Sequence, residues 1–356
     1  MRKDTMWVLR VALVVASLMR VGGSSSGSAS RSGKGNDAII DERDVVIVGS
    51  GPSGCTAAIY AARAMLKPLV VAGYVAGGQL MLTSDVENFP GYREAVTGPM
   101  LMEDLTEQAK HFGAEFVNTN CAFIDTSSWP YSVHVLKGII KAKSIILSTG
   151  ADAIWLGAEQ EDEYKGKGIS TCATCDGFMF RDKPVVVIGG GDSAMEEATF
   201  LTRFASSVTL IHRRDKFRAS KVMLNRAMVN SKIRVMTDTE VVGWQGQDGL
   251  LSGATVRNTQ DGTTEELKCD GAFIAIGHRP NTGFLNRQVT LDKEGFIALQ
   301  EHTMTNVPGV FACGDVADTR YKQAITAAGS GCQAAIDAER WLEDKEQETT
   351  ELETQL

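Results

Sequence analysis

The chain has 356 residues, which is enough for two domains. An apolar fraction of 43% and 36 glycines are typical of α/β domains rich in tight turns. The formal net charge is −8, and beyond residue 36 the chain carries 30 basic and 43 acidic residues, so this acidic body excludes nucleic acid and anionic membranes as general partners.

The first 39 residues differ in composition from the rest of the chain. Their apolar stretch, Met6–Met19, is interrupted by Arg10 and is far too short to span a bilayer. A basic, serine-rich flank with few acids favours organellar import, with a signal peptide or an unprocessed extension as alternatives. We therefore expect a leader over residues 1–39, no stable membrane insertion, and a cytoplasmic or mitochondrial/organellar location.

The first nucleotide-binding pattern follows Asp44–Val48, a short β-branched run that predicts a buried parallel strand. A helix is predicted after it, over Cys55–Leu66. In this strand–turn–helix setting, the glycines permit the turn, the approach of a pyrophosphate to the helix N-terminus, and close packing of the helix on the strand. The G-x-G-x-x-G pattern consists of Gly49, Ser50, Gly51, Pro52, Ser53 and Gly54.

The first loop lacks the residue that commonly binds a ribose at the end of the next strand. Ala72 occupies the corresponding position, and neither acids nor bases occur in Val70–Ala76. The backbone amides of Gly77 and Gly78 and the carboxamide of Gln79 follow, and we expect them to hold the nucleotide instead.

A pair of cysteines lies shortly before a second glycine loop, in the run Cys172-Ala173-Thr174-Cys175-Asp176. Two cysteines at this spacing can close a small, readily exchanged disulfide, and the adjacent carboxyl can carry a proton. The pair could also be half of a zinc site, but the other five cysteines and the five histidines show no second ligand pair. We therefore expect redox chemistry and no metal.

The second nucleotide-binding pattern follows the predicted strand Lys183–Ile188 and opens a helix that is expected to end near Arg203. The next predicted strand, Val208–Ile211, ends in a basic cluster. Arginines at this strand end accommodate a 2′-phosphate, which predicts NADPH rather than NADH, although a solvated basic turn is the alternative. The predicted contacts are Gly189, Gly191, Ser193, His212, Arg213, Arg214 and Arg218.

Further short motifs accompany these patterns along the chain. They are Gly51 to Gly54, Gly77 to Leu80, Val86 to Gly91, Ser148 to Ala151, Cys172 to Gly177, Gly189 to Glu196, His212 to Arg214, Ala275 to His278, Gly314 to Val316 and Gln323 to Thr326. In this order they resemble the low-molecular-weight thioredoxin reductases of bacteria, fungi and plants. The likeness covers roughly residues 44–342, and the C-A-T-C-D run makes it specific.

The resemblance implies two Rossmann-like, three-layer α/β dinucleotide-binding domains, the second inserted in the first. FAD would bind a discontinuous domain of residues 40–152 and 282–346, and NADPH an inserted domain of residues 153–281 that carries the redox disulfide. Residues 347–356 would form an acidic tail. The implied partners are oxidised thioredoxin and a second copy of the chain in a homodimer.

The resemblance also assigns roles to individual residues. The implied FAD contacts are Ser50, Gly51, Pro52, Gln79, Asn88, the backbone of Cys121, Asp315 at the ribityl or phosphate region, Lys322, and Gln323 and Ala324 at the isoalloxazine. Three positions depart from the usual pattern: Lys322 replaces arginine, Ala72 replaces the glutamate of many relatives, and Ser53 replaces alanine. Lysine keeps the charge but loses the bidentate fork of arginine.

The implied reaction moves electrons from NADPH through FAD to the Cys172–Cys175 disulfide, and from there to thioredoxin. Cys175 would lie nearer the flavin, and Asp176 would donate a proton. Because one short segment cannot reach both flavin and a protein substrate, the resemblance implies rotation of the NADPH domain about linkers near residues 150–154 and 277–282.

Three other functions remain as alternatives. A dithiol oxidase or a ferredoxin-linked reductase of the same fold generally lacks the basic strand end that His212, Arg213 and Arg214 form. A catalytically silent flavoprotein scaffold has no need of an intact C-A-T-C-D run.

Overall fold

A computed structural model describes residues 38–83 and 85–355, with the side chains of the last helix described through residue 351. Nearly all of the predicted leader, residues 1–39, therefore lies outside the described residues. Among the described residues, no helix combines the length and the apolar character needed to cross a membrane.

The strands of the described chain define two main sheets and two small ones. In chain order they are β1 (Ile39–Val48), β2 (Leu69–Val71), β3 (Glu115–Val117), β4 (Cys121–Asp125), β5 (Tyr131–Val135), β6 (Gly138–Leu147), β7 (Ala151–Ala153), β8 (Ile169–Ser170), β9 (Pro184–Ile188), β10 (Ser207–Ile211), β11 (Ile233–Met236), β12 (Thr239–Gln247), β13 (Leu250–Asn258), β14 (Thr264–Lys268), β15 (Gly271–Ile274), β16 (His278–Pro280) and β17 (Val310–Ala312).

The helices cover the sheets and follow both glycine loops. They are α1 (Pro52–Arg63), α2 (Gly98–His111), α3 (Glu161–Tyr164), α4 (Ala173–Asp176), α5 (Asp192–Leu201), α6 (Lys221–Met228) and α7 (Ala324–Gln355), and short 3₁₀ turns occur at Gly78–Leu82, Gly177–Phe180, Gly283–Leu285 and Gly314–Val316. In both predicted nucleotide-binding patterns, the first glycines thus stand between a strand and a helix, and Gly54 of the first pattern lies within α1.

The first main sheet has the order β3-β2-β1-β6-β5-β4, and β17 also pairs with β6. Its central strand β1 alternates side chains between the two faces, as expected for an extended chain. Val45 and Ile47 pack with α1 and α7 on one face, and Val46 and Val48 pack with β4 and β5 on the other. All four side chains are buried, which fixes the point where the chain enters the first glycine loop.

The second main sheet, β11-β10-β9-β15-β8, is entirely parallel. Val185 and Val187 of β9 pack against α5 on one face. Val186 and Ile188 pack on the other face against Trp244 and its neighbours, which belong to the antiparallel sheet β12-β13-β14. This part of the chain therefore has three layers, and its sheet uses only strands between Ile169 and Ile274.

The two predicted linkers lie side by side. β7 and β16 form a two-stranded antiparallel sheet, in which Ala153 is opposite His278 and Ala151 is opposite Pro280. Just beyond this sheet, the backbone N–H of Ile154 donates to the carbonyl of Gly277 at 3.0 Å. The chain thus leaves the first main sheet and returns to it through adjacent strands.

Several element boundaries differ from those predicted. β1 begins at Ile39 instead of Asp44 because residues before Asp44 also pair with β6, where Arg43 bridges Asp41 and Glu115. α1 begins at Pro52, a residue well suited to the first helical position. α5 ends at Leu201 rather than Arg203. The predicted acidic tail, residues 347–356, continues helix α7 as far as Gln355.

Candidate active site

The first glycine loop leaves room for a ligand at the N-terminus of α1. Gly49 has a φ of +113°, and a side chain there would collide with the Ser148 carbonyl, so only glycine fits the turn. A Cβ on Gly51 would instead meet no atom within 4 Å. No side chain caps this helix, so its first N–H groups are oriented toward the open space, as a pyrophosphate requires.

Ser50 joins the first glycine loop to the Gly77–Gly78 segment. Its hydroxyl donates to the Ala72 carbonyl at 2.9 Å and accepts from the Gly77 N–H at 3.0 Å. Gly78 has a φ of +65°, and a Cβ there would lie 3.4 Å from the Cα of Gly51. The two glycine segments thus approach each other closely, which supports the expectation that both contact one nucleotide.

Asp315 places a buried, unpaired oxygen beside this loop system. Its Oδ1 has no hydrogen-bond partner among the described residues, and burial together with the nearby charge of Asp318 raises the pKa of Asp315 to about 6. Lys322 partly offsets this rise in pKa. Its own pKa is lowered by burial, and its Nζ lies 5.3 Å from the centre of the Phe296 ring. An orphaned carboxylate oxygen fits a site that binds the hydroxyls of a cofactor.

Cys172 and Cys175 form a disulfide, with their Cα atoms 5.3 Å apart. The pair belongs to the segment that we call the redox turn, which consists of Cys172 and α4. Within it, the Cys172 sulfur accepts a hydrogen bond from the Cys175 N–H at 3.2 Å. The side chain of Cys172 is half-buried, whereas Cys175 is exposed.

Gln323, at the start of α7, touches the redox turn from the side of the first sheet. Its Oε1 lies 3.8 Å from the Cys175 sulfur, and its Nε2 lies 3.8 Å from the Cys172 sulfur. The same Nε2 donates to the Thr174 hydroxyl at 3.3 Å. The disulfide belongs to the part of the chain that contains the second main sheet. It therefore lies against a residue from the other part of the chain that is predicted to contact the flavin.

Two interactions shift the pKa of Asp176, the last residue of the redox turn. Burial raises the pKa of Asp176, and a hydrogen bond with the Ser170 hydroxyl opposes this shift. Ser170 also accepts from the Cys172 N–H at 3.0 Å, so one hydroxyl links the carboxyl to the disulfide segment. A carboxyl with a raised pKa is protonated more often near neutral pH and can therefore donate a proton.

The second glycine loop repeats the geometry of the first. α5 has no side-chain cap, and a Cβ on Gly191 would meet no atom within 4 Å. A side chain on Gly189 would collide with the Ala275 carbonyl and with Ala194. Ser193 is exposed in the first turn of the helix. The open helix N-terminus again suits a pyrophosphate.

The basic cluster lies directly beside this second loop. The Arg218 N–H and the Ala219 N–H both donate to the Gly190 carbonyl, at 2.8 and 3.1 Å. Arg213, Arg214 and Arg218 are exposed, and within the described chain none of them forms an ion pair with a carboxylate. Three uncommitted guanidinium groups at this point fit a 2′-phosphate.

His212 differs from the arginines that follow it. Its ring is buried, stacks on Phe217, and has Nε2 3.0 Å from the Lys216 carbonyl. A side chain on Gly190 would collide with the His212 ring. The buried ring of His212 therefore packs beneath the exposed arginines and stabilises the segment that carries them. Its contact with a cofactor stays a prediction.

The chain matches, over residues 43–331, the family of pyridine nucleotide-disulphide oxidoreductases. The chain belongs to this family. A curated relative named thioredoxin reductase, from Mycolicibacterium smegmatis, is 53% identical over 304 residues, which cover 85% of this chain and 97% of the relative. The predicted fold class, with two dinucleotide-binding domains, is confirmed for this pyridine nucleotide-disulphide oxidoreductase.

Solved structures of similar identity align with this family member to different extents. Thioredoxin reductase from Giardia duodenalis is 43% identical, with a TM-score of 0.82 over 85% of this chain and 99% of that one. Thioredoxin reductase from Lactococcus lactis, in an FR conformation, is 39% identical, with a TM-score of 0.58 over the same shares.

Two predicted contacts lie apart from the polar network described above. Asn88 is exposed, and its side chain forms no hydrogen bond with another described residue. Cys121 is half-buried at the start of β4, and burial raises its pKa to about 12. Gln79 instead reaches the linker strand β7, where its Nε2 donates to Asp152 at 2.7 Å.

Sequence reasoning missed Ser170 and Glu197, which both contact the redox turn. Glu197 lies on α5 and accepts a hydrogen bond from the Ala173 backbone. The sequence does show that Glu197 is an acidic residue within the second nucleotide-binding helix. The spacing of the apolar residues in that helix does not, however, indicate that Glu197 faces inward. Ser170 carries no signal at all, because single serines are common in strands and turns.

Proposed function

We propose that this chain is an NADPH-dependent thioredoxin-disulfide reductase, a flavoprotein that moves electrons from NADPH through FAD and the Cys172–Cys175 disulfide to oxidised thioredoxin. One observation carries the proposal: the disulfide lies against Gln323, on the side of the first glycine loop, although it belongs to the part of the chain that contains the second glycine loop. The name of the Mycolicibacterium smegmatis relative, at 53% identity, agrees with this function.

The first glycine loop and its neighbours bind FAD in this proposal. The open N-terminus of α1 receives the pyrophosphate, and Asp315 lies at the ribityl or phosphate region, where its unpaired oxygen accepts a hydrogen bond from a ribityl hydroxyl. Gly78, Gln79, Asn88, Lys322 and Ala324, with the Cys121 backbone, supply further contacts. Bound FAD supplies the two-electron chemistry that links a nicotinamide to a disulfide.

The second glycine loop binds NADPH. The N-terminus of α5 holds the pyrophosphate, with Gly189, Gly191 and Ser193 lining the approach. Arg213, Arg214 and Arg218 hold the 2′-phosphate, since exposed and unpaired guanidinium groups form charge-assisted bonds with phosphate. The basic cluster also disfavours the dithiol oxidase and the ferredoxin-linked reductase, which have no need of such a site.

The redox turn then exchanges disulfides with thioredoxin. Once the pair is reduced, the thiolate of one cysteine attacks the disulfide of thioredoxin and releases one thioredoxin thiolate. The second cysteine breaks the resulting mixed disulfide, which restores the Cys172–Cys175 bond and frees the second thiolate. Asp176 donates and accepts protons at the sulfur atoms, a task for which its raised pKa is suited.

The proposed domains are residues 40–152 and 282–346 for FAD and residues 153–281 for NADPH. The insertion is supported by sheets that share no strands and by adjacent linker strands β7 and β16. Rotation about these linkers lets the redox turn leave Gln323 and meet thioredoxin. The low TM-score to the FR conformation of the Lactococcus lactis protein agrees with a second domain arrangement.

The assembly and the location complete the proposal. The chain forms a homodimer, for which large exposed apolar side chains such as Tyr74, Val75, Met81 and Leu82 provide surface to bury. Residues 1–39 direct the protein to mitochondria or another organelle, or else it stays in the cytoplasm. Light scattering tests the dimer, and cell fractionation with N-terminal sequencing of the mature protein tests the location.

Replacing either redox cysteine tests the whole proposal. The Cys172→Ser and Cys175→Ser variants should each lose thioredoxin reduction, since neither can form the disulfide. Both should keep FAD and should still be bleached by NADPH, because the proposed cofactor contacts lie elsewhere. An assay with NADPH, thioredoxin and a disulfide dye measures the first effect, and flavin absorbance measures the second. Turnover above a few per cent of wild type in either variant would refute the function.

A further inference from the structure

Glu197 is a buried carboxyl group for which the reaction described above provides no role. It lies on α5, between the second glycine loop and the redox turn, and accepts a hydrogen bond from the Ala173 backbone. Its Oε2 is buried without any hydrogen-bond partner among the described residues. A buried polar atom in this state is unusual in a folded protein and requires an explanation.

Glu197 is connected to the redox turn through Ala173, the residue that follows Cys172. Ala173 directly follows Cys172 in the chain. The carboxyl group that accepts the hydrogen bond from the Ala173 N–H therefore lies on the order of 6 Å from the Cys172 sulfur. At that separation, a charge in a partly dehydrated site changes the pKa of its neighbour appreciably. The carboxyl is therefore close enough to affect a thiolate.

Few charged groups face Glu197 from the surrounding elements. Glu196 is its neighbour on α5, and Asp176 stands with the two cysteines on the redox turn. The α6 side chains that pack in this core are Met223, Leu224 and Ala227, whereas Lys221 and Arg226 are exposed. The strands beneath contribute apolar side chains: Val185, Val187, Val208 and Leu210.

We propose that Glu197 is a positioning residue that anchors the redox turn and, by gaining or losing one proton, controls how readily Cys172 forms a thiolate once the disulfide is reduced. The inference rests on the proposed function, because it requires a reducible pair. Burial raises the pKa of Glu197 to about 8, and the nearby charge of Glu196 adds to the rise. Glu197 is therefore neutral at neutral pH and permits a thiolate, but above about pH 8 its own negative charge opposes one.

The test measures alkylation of the reduced pair between pH 6 and pH 9 in wild type and Glu197→Gln, with iodoacetamide and peptide mapping. The two proteins should react at equal rates near pH 6.5. Near pH 9 Cys172 in Glu197→Gln should react about threefold faster, because a thiol pKa that is lower by one unit, about 8.5 instead of about 9.5, raises the thiolate fraction by about that factor at this pH. A rate ratio that stays the same at both pH values would overturn the proposal.

Matched variants separate this proposal from others. Glu196→Gln removes an exposed carboxyl one residue earlier; it should keep the alkaline slowing but begin it at a somewhat lower pH, because the charge of Glu196 adds to the pKa rise of Glu197. Glu197→Asp should retain the alkaline slowing, because it keeps a carboxyl. If wild type itself is not reduced by NADPH, the proposed function fails. Alkylation after reduction by dithionite still tests Glu197 in that case.

Infrared difference spectroscopy provides a second measurement if Glu197→Gln does not fold. Wild type should show a protonated carboxyl band near neutral pH that is lost by pH 9. The band should persist in Asp176→Asn, which removes the other carboxyl of the redox turn. Its absence from both proteins near neutral pH would overturn the proposal.

Discussion

At the scale of single residues, Asp176 combines burial with a place directly beside Cys175. Because burial raises its pKa, protonated Asp176 should persist toward neutral pH. We expect Asp176→Asn to slow disulfide exchange with thioredoxin by about 10²- to 10⁴-fold, the usual contribution of one positioned acid. Rapid-mixing kinetics should show that reduction of the flavin by NADPH is unaffected, since Asp176 acts on sulfur.

The pH profile provides the control for Asp176. In wild type, the exchange step that needs the proton of Asp176 should slow as the pH rises through the pKa of this group. Ser170→Ala removes the hydrogen bond that opposes the pKa rise and should move this limb to higher pH. An unchanged limb in both Ser170→Ala and Asp176→Asn would assign the titration to another group.

Asp315 predicts an effect on stability that depends on pH. Its folded pKa of about 6 lies above the value near 4 that an unfolded chain has, so ionisation destabilises the folded protein as the pH rises between these values. Asp315→Asn should therefore stabilise the FAD-free protein by about 2 kcal/mol above pH 6 and have little effect near pH 4. Thermal unfolding at both pH values measures this difference.

The same substitution should have the opposite effect on the cofactor complex. If the unpaired oxygen of Asp315 accepts a hydrogen bond from FAD, Asp315→Asn replaces a charged acceptor with a neutral amide oxygen and should weaken FAD binding by about 1 kcal/mol. Asp318→Asn serves as the comparison, because Asp318 already accepts backbone hydrogen bonds within its own loop. Equal FAD affinity in Asp315→Asn and wild type would remove Asp315 from the cofactor site.

The sequence predicts residues whose roles are local and misses those whose roles depend on folding. The glycines are predictable because the turn needs them at fixed spacing, and Gly49 indeed has a positive φ. The contact of Gln323 with the disulfide joins positions 148 residues apart, and only the family resemblance indicated it. Glu197 was missed because its inward direction depends on how α5 packs against the redox turn.

At the scale of elements, β10 and its basic end form a unit with the second glycine loop. Exposed and unpaired, Arg213 and Arg214 should contribute little to folding. Replacing both with alanine should raise the KM for NADPH by about 10²-fold or more, because each charge-assisted phosphate contact contributes about 1.5–3 kcal/mol. The KM for NADH should change little.

Steady-state kinetics with both nucleotides decide this point. Arg226→Ala is the matched control, since Arg226 is an exposed arginine of the same layer on α6, away from the loop. Its kinetics should resemble those of wild type with either nucleotide. Equal increases in KM for NADPH and NADH in the double variant would show that these arginines do not read the 2′-phosphate.

Elements were predicted well where the apolar pattern is strong and less well where polar residues extend a strand. The buried run of β1 was expected, but its first half, with Asp41 and Arg43, has no apolar period and forms a strand only through pairing with β6. Similarly, α7 continues through the predicted acidic tail, whose residues have no apolar period that would predict a helix.

At the scale of the whole molecule, the redox turn must serve two sites. The structure holds it at Gln323, and thioredoxin requires it to be accessible. The paired linkers β7 and β16 are the natural axis, because both crossings between the proposed domains lie there. Interfaces between domains of one chain are commonly small enough to allow such motion. Multiple turnovers should therefore depend on rotation.

A cross-link between the redox turn and α7 tests this dependence. The side chains of Thr174 and Gln323 are 3.3 Å apart, so the double variant Thr174→Cys and Gln323→Cys can be joined by a short bis-maleimide. The reagent is added while Cys172 and Cys175 are protected as a disulfide. The joined protein should keep FAD but lose nearly all thioredoxin turnover, which the dye assay measures.

The single-cysteine variants determine what a loss of turnover means. Thr174→Cys and Gln323→Cys, each treated with the same reagent, carry the same modification without the bridge. Labelled Thr174→Cys should retain most of its activity, whereas labelled Gln323→Cys sets the baseline for the bridged protein, because Gln323 is itself a predicted flavin contact. Treated wild type shows whether the half-buried Cys121 and Cys332 react, since the other free cysteines are buried. Fixing the domains in one arrangement removes the step that exposes the disulfide but leaves the predicted cofactor contacts other than Gln323 in place. If the bridged protein reduced thioredoxin as fast as the singly labelled ones, flavin and thioredoxin would both have to reach the disulfide in the present arrangement, and rotation about β7 and β16 would be refuted.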